Sequence, residues 1–162
     1  MTAEPTATLL EMTSRPLLKA SRPHGAGMLL RLVEPASDFY RFLLHSSGAD
    51  ADDARLRLAD ENLFELLQDP LIEVFVLYIG GSPGGYFELD RRAIGEVELV
   101  RVGLLAGFRG RGLTKYLLAT AVGTAWDEEP DRVWVLVKGV DDSEALLLYQ
   151  WAGFSPFATS TE

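Results

Sequence analysis

Cysteine is missing from this chain altogether. No disulfide can staple the fold, no thiolate can hold a metal, and no cysteinyl-acyl intermediate can form. Histidine is nearly missing too. Only His24 and His45 occur, and they do not stand at metal-ligand spacing. A zinc or iron site would have to be built from carboxylates, so no metal is expected. No apolar run approaches the roughly 20 residues of a membrane span. The start, Met1 to Pro5, lacks a basic n-region and an apolar h-region, so no signal peptide is expected and a cytoplasmic location is the default. Basic residues are outnumbered: 15 Lys plus Arg stand against 24 Asp plus Glu, a net charge of −9. That balance argues against a nucleic-acid partner and against docking on an anionic membrane.

What is present is the composition of a soluble globule, 48% hydrophobic and 24% charged in 162 residues. A chain of this length buries about 69% of its unfolded surface, enough for one core and not for two. Residues 28–162 are therefore read as a single domain. Residues 1–27, punctuated by Pro5, Pro16 and Pro23, are read as an arm. In that arm Thr8 to Met12 has the character of a short strand, added at a sheet edge or covering a neighbouring surface.

Met28 to Val33 reads as a strand. Phe39, Phe42 and Leu43 repeat at helical spacing over 36–46. The acidic stretch 49–60 reads as a solvated loop or loose helix. Leu63, Leu66 and Leu67 mark a second short helix before Pro70. Ile72 to Ile79 is a β-branched and aromatic strand. The glycine-rich turn 80–85 returns it into a strand at 86–89, and a longer strand covers 94–105. Helix follows over 109–126, an almost wholly apolar strand over 133–137, helix over 142–152, and a last strand fragment from 153. Antiparallel hairpins followed by a βαβ unit predict a mixed-sheet α/β domain.

One junction carries chemistry. Leu104 ends a strand, and Arg109-Gly110-Arg111-Gly112-Leu113-Thr114 opens a helix. Glycines at 110 and 112 let main-chain amides approach a ligand, and those amides sit at the positive end of the helix dipole. Such a turn binds phosphate, with Arg109 and Arg111 able to add charge. It is neither the dinucleotide fingerprint nor the nucleoside-triphosphate loop.

Further on, Ala145-x-x-Leu148-Tyr149-x-x-x-Gly153-Phe154 follows the buried strand. The two segments in this order, separated by one helix and one strand, resemble the GNAT acyltransferase superfamily over roughly residues 96–157. Arg109 to Thr114 is similar to its pyrophosphate loop, R/Q-x-x-G-x-G/A, with Thr114 in place of the last small residue. Residues 145–154 are similar to its A-x-x-L-Y-x-x-x-G-F helix. The resemblance implies a central, mostly antiparallel sheet with a parallel splayed pair, flanked by helices. It implies an acetyl-CoA co-substrate whose pyrophosphate rests on the backbone of 109–114, Leu113 included. Its pantetheine would bond the main chain of Val102 and Leu104 as a pseudo-strand. Asp142 stands where the family often has Asn; with Asp141 and Glu144 it also reads as a helix cap.

An alkyl amine with a pKa near 10.4 is neutral in only about one molecule in 2,500 at neutral pH, so acetyl transfer to it needs a base. Glu98 is the candidate, with Glu96 in reserve and a water chain as the other route. Strict alternation along 94–105 places Glu96, Glu98, Val100, Val102 and Leu104 on one face and Arg101 on the other. Tyr149 lies where the family carries its acid for the leaving thiolate. Without cysteine, transfer is expected to be direct, in a ternary complex with a small-molecule or peptide amine. Two alternatives stay open: a catalytically silent acyl-CoA-binding domain, or an enzyme using a hydroxyl acceptor or a longer acyl chain. The final strand near 153–158 would leave an open sheet edge, closed by the strand around Leu9 and Leu10 or by a second subunit, and a homodimer is expected.

Overall fold

A computed structural model describes residues 6–23, 25, 27–138 and 143–161. Its elements run β1 (Thr6–Met12), β2 (Met28–Arg31), α1 (Ser37–Ser46), α2 (Asp60–Gln68), β3 (Ile72–Ile79), β4 (Ser82–Asp90), β5 (Glu96–Leu104), a 3-10 turn (Ala106–Phe108), α3 (Leu113–Trp126), β6 (Arg132–Lys138), α4 (Ser143–Trp151) and β7 (Ser155–Thr161). The strands form one sheet in the order β2-β3-β4-β5-β6-β1-β7. Every neighbouring pair is antiparallel except β5 with β6, which is parallel. The mixed α/β architecture read from the sequence is the architecture found. No helix among the described residues is long and apolar enough to cross a membrane.

Helices cover both faces of the sheet. On one, Leu117, Leu118, Ala121 and Val122 of α3 pack on Phe87, Leu89, Val97, Leu99 and Val135, with partly buried Leu148 and Trp151 of α4 alongside. On the other, Tyr40, Leu43 and Leu44 of α1 and Leu63 and Leu67 of α2 pack on Val74, Val76 and Tyr86. Because both faces are buried, β3 reads from Val74 to Ile79 as an apolar run without clean alternation.

The β3–β4 hairpin turns on two residues, Gly80 and Gly81, both at positive φ (+61° and +88°). That is the requirement of a type I′ turn. The rest of the glycine-rich stretch is strand, with Gly84 bulged between the pairs Leu77–Gly85 and Tyr78–Pro83. A Cβ on Gly84 would lie 3.2 Å from the Phe108 ring, so this glycine lets β4 approach the turn after β5.

The segment read as an arm is not at the sheet edge. β1 lies inside the sheet, between β6 and β7, pairing with both. Leu10 and Met12 alternate into the α3-face core, and two neighbouring strands satisfy the β1 backbone.

Candidate acyl-CoA site

The helix read over 109–126 begins only at Leu113. Gly110 and Gly112 sit at φ +78° and +72°, left-handed backbone that a right-handed helix cannot contain, and Gly112 is the residue at the α3 N-terminus. No side chain caps that end. The first-turn amides, beginning at Leu113 and Thr114, therefore lack intrahelical partners at the positive end of the dipole. A Cβ built at Gly107, Gly110 or Gly112 meets nothing within 4 Å, so the space over the loop is open. Arg109 is held by a 3.0 Å bond from its Nη2 to the Ser47 carbonyl at the end of α1. Arg111 lies over the Phe108 ring, 4.8 Å from its centroid. The Leu113 side chain is core, which leaves only its main chain for a ligand.

Beside this loop the sheet opens. β5 and β6 pair only at Glu96–Arg132, Val97–Val133 and Glu98–Trp134. Beyond that point β5 runs on to Leu104 paired with β4, and β6 runs on to Lys138 paired with β1. The main chains of Leu99 to Leu104 and Val135 to Lys138 thus diverge. A cavity of about 270 Å³ at the end of β5 is lined by Ser47, Val102, Gly103, Leu104, Arg109 and Thr114, among others. The structure therefore brings four of the expected cofactor residues into one cavity and sets Gly110, Arg111 and Gly112 in the adjoining loop.

The strand alternation expected along β5 fails at one residue. Glu88 pairs with Arg101, but Leu89 pairs with Leu99, so Val100 is an extra residue on β5. Such a bulge inverts the facing of everything after it. Val102 and Leu104 accordingly pack on the α3 face with Val97 and Leu99, not on the face of Glu98. Arg101, expected to point away from Glu98, lines the same cavity as Glu98.

That second cavity, about 380 Å³, lies on the α1–α2 face and is lined by Asp53, Arg55, Asp90, Arg92, Glu98, Arg101 and Lys138, among others. It adjoins a cavity of about 340 Å³ that shares Asp90, Arg92 and Glu98 and adds Glu96 and Trp134. Burial pushes the Glu98 carboxyl above the usual carboxylate range, and the Asp90 carboxylate, its cross-strand partner, pushes it further. Asp90 itself is held below its usual range by Arg92, whose Nη2 is 2.8 Å from it, against the opposing effect of burial. Glu96, the reserve base, is tied to Arg132 at 2.7 Å.

The acidic stretch 49–60 is the turn-rich, largely exposed loop its composition suggests, but two of its side chains anchor it from beneath. Arg55 reaches down to the wholly buried Glu88, Nη2 to Oε2 at 2.8 Å, and Tyr40 donates its hydroxyl to the other Glu88 oxygen. Asp53 accepts from Arg101 Nη2 at 2.9 Å. These partners lie more than thirty residues away in sequence, and composition within the loop carries no sign of them.

Tyr149 sits elsewhere. It is half-buried on the α3 face, with its ring edge-on to Phe154 at 5.7 Å between centroids. The structure thus puts the expected acid and base on opposite sides of the sheet, with the β5–β6 splay between those faces. His45 is exposed on α1. His24 and the proposed cap at Asp141 and Asp142 lie outside the described residues.

No protein-family model and no curated protein matches the sequence. Solved structures do match the fold. A GCN5-related N-acetyltransferase from Sphaerobacter thermophilus overlays 98% of this chain at a TM-score of 0.72 and 18% identity, and the match covers 50% of its own length. A tandem GNAT protein from the clavulanic acid biosynthesis pathway overlays 99% at 0.72 and 15% identity, over 54% of its length. This chain therefore spans about half the length of those two. A Bacillus subtilis acetyltransferase solved in complex with CoA overlays 80% at 0.62 and 22% identity, over 77% of its length. With its seven-stranded order, its single parallel splayed pair and its glycine loop opening α3, the chain has the GNAT acetyltransferase fold.

Proposed function

We propose that the chain transfers the acetyl group of acetyl-CoA to a primary amine, directly and in a ternary complex. The observation that carries this reading is the β5–β6 splay opening beside the uncapped amino terminus of α3. The space over Gly110 and Gly112 is open and the first-turn amides of α3 carry no side-chain cap, which gives a diphosphate both room and donors. The unpaired edge at Val102 and Leu104 offers main-chain groups to the amides of an extended pantetheine arm. The CoA complex of the Bacillus subtilis protein supports this choice of co-substrate.

On this reading the acceptor lies in the cavity over Glu98. A carboxyl raised above its usual range is a better match to an ammonium proton than an ordinary glutamate. Glu98 takes that proton, the freed amine attacks the thioester carbonyl carbon, and the carbon–sulfur bond breaks. Tyr149 gives the departing thiolate its proton, and the second proton, shed by the acylated nitrogen as the amide forms, restores the phenol through solvent. The chain has no cysteine, so no thiol of its own carries the acetyl group between steps.

The test couples two measurements on the whole chain. Acetyl-CoA should raise the melting temperature by ordinary linkage, and free CoA should appear when an amine panel is added. A melting shift without CoA release would favour a silent acyl-CoA-binding domain. No shift at all would remove the proposal.

A further inference from the structure

The charges lining the acceptor cavity nearly cancel, and the remainder is informative. Arg55 pairs with Glu88, Arg101 with Asp53, and Arg92 with Asp90. Two charged residues of the lining have no ion pair among the described residues: Glu98 and Lys138. Arg101, the remaining cation of the lining, is already engaged: its Nη2 holds Asp53 at 2.9 Å, and its buried Nε faces Glu88 Oε1 at 3.8 Å.

The placement of these groups is directional. Glu98 sits at the closed end of the splay, where it still pairs with Trp134. Lys138 ends β6 four positions further on, about 13 Å of strand at roughly 3.3 Å per residue. Trp134, Leu136 and Lys138 alternate with the buried Val133, Val135 and Val137, which places Lys138 on the Glu98 face.

We infer that the acceptor carries an anionic group several bonds from its amine, so that the amine meets Glu98 while a carboxylate or phosphate meets Lys138. Its class is then an ω-amino acid or an amino-alkyl phosphate, not a plain amine or a polyamine. This rests on reading the cavity as the acceptor site, and binding tests it without turnover. The full chain, saturated with CoA, is titrated calorimetrically with ω-aminohexanoate, its methyl ester and ω-aminohexyl phosphate. A charge-assisted contact should make at least one anionic ligand about tenfold tighter than the ester, and the acid–phosphate order names the group. Lys138→Glu should reverse the preference in favour of the ester. An ester that binds as well as both anions, binding of none of the three, or a preference unmoved by Lys138→Glu would overturn the inference. The acetyl-CoA melting shift is read separately, so failure of the co-substrate reading is distinguishable from failure here.

Discussion

Glu98 is held against its own chemistry. Burial and the Asp90 carboxylate raise its pKa, so the folded state binds its proton more tightly than the unfolded chain does. The sign follows directly. A raised carboxyl destabilises the fold above its folded pKa, and the penalty fades as pH falls to the unfolded value, about 4.3 for glutamate. Glu98→Gln should therefore melt higher than the native chain at neutral pH, with the gain vanishing in acid. The same substitution should slow acetyl transfer, and slow it less at high pH, where more amine is already neutral. A pH-independent loss would make Glu98 a contact to the acceptor and not its base. Tyr149→Phe is expected to lower kcat by about 10²-fold with acetyl-CoA affinity retained; native turnover in that variant would reduce Tyr149 to its packing on Phe154. Gly112 tests the other end of the site. A valine at φ +72° is strained by roughly 1–2 kcal/mol, yet its Cβ meets no protein atom. Gly112→Val should thus fold and lose most of the acetyl-CoA melting shift, because it fills the space a diphosphate needs.

Between elements, the ion pairs under the 50–58 loop decide whether the cavity over Glu98 keeps its wall at Asp53 to Arg55. Glu88 is fully buried and serves Tyr40 and Arg55 at once. Glu88→Ala leaves those groups unmatched, a loss of about 3–5 kcal/mol. Arg92→Ala breaks a half-exposed pair with Asp90 and should cost about 1 kcal/mol or less. Limited proteolysis should cut Glu88→Ala near Asp53 sooner than Arg92→Ala; equal cutting would mean the loop is held by something other than Glu88. These contacts also mark where the sequence stops being legible. The order of strands and helices and the glycine junction are written in local patterns of period, turn residue and motif, while the splayed pair is legible only through the family resemblance those motifs carry. The Val100 bulge is one residue without a signature, yet it turns Val102 and Leu104 to the opposite face and brings Arg101 to the cavity over Glu98. The Arg55–Glu88 and Arg101–Asp53 pairs join residues 33 and 48 positions apart, which local reading cannot connect.

For the molecule as a whole, the most remote dependence joins its two ends. Among the described residues β7 has one neighbour in the sheet, and that neighbour is β1. The same strand flanks β6 on the side away from the splay, so it supports the strand that carries Lys138. Its side chains enter the core: Leu10 is fully buried, and Trp126 Nε1 donates to Met12 Sδ at 3.0 Å. Leu10→Ala should cost about 2–5 kcal/mol as a core truncation. Removing residues 1–12 should do more, stripping one ladder from β6 and every ladder from β7. The expected result is a lower melting temperature, rapid proteolysis after Phe154, and aggregation at concentrations where the full chain stays clear. An unchanged melting curve would show that β1 is dispensable. The outer side of β7 is a further matter, because β1 covers only one of its edges. Phe157, 60% exposed beside Arg132, lies on that terminal strand. An open edge with an apolar residue invites pairing, so light scattering of the full chain should give twice the monomer mass. A monomer mass at micromolar concentration would remove the dimer and leave β1 as the device that anchors β7.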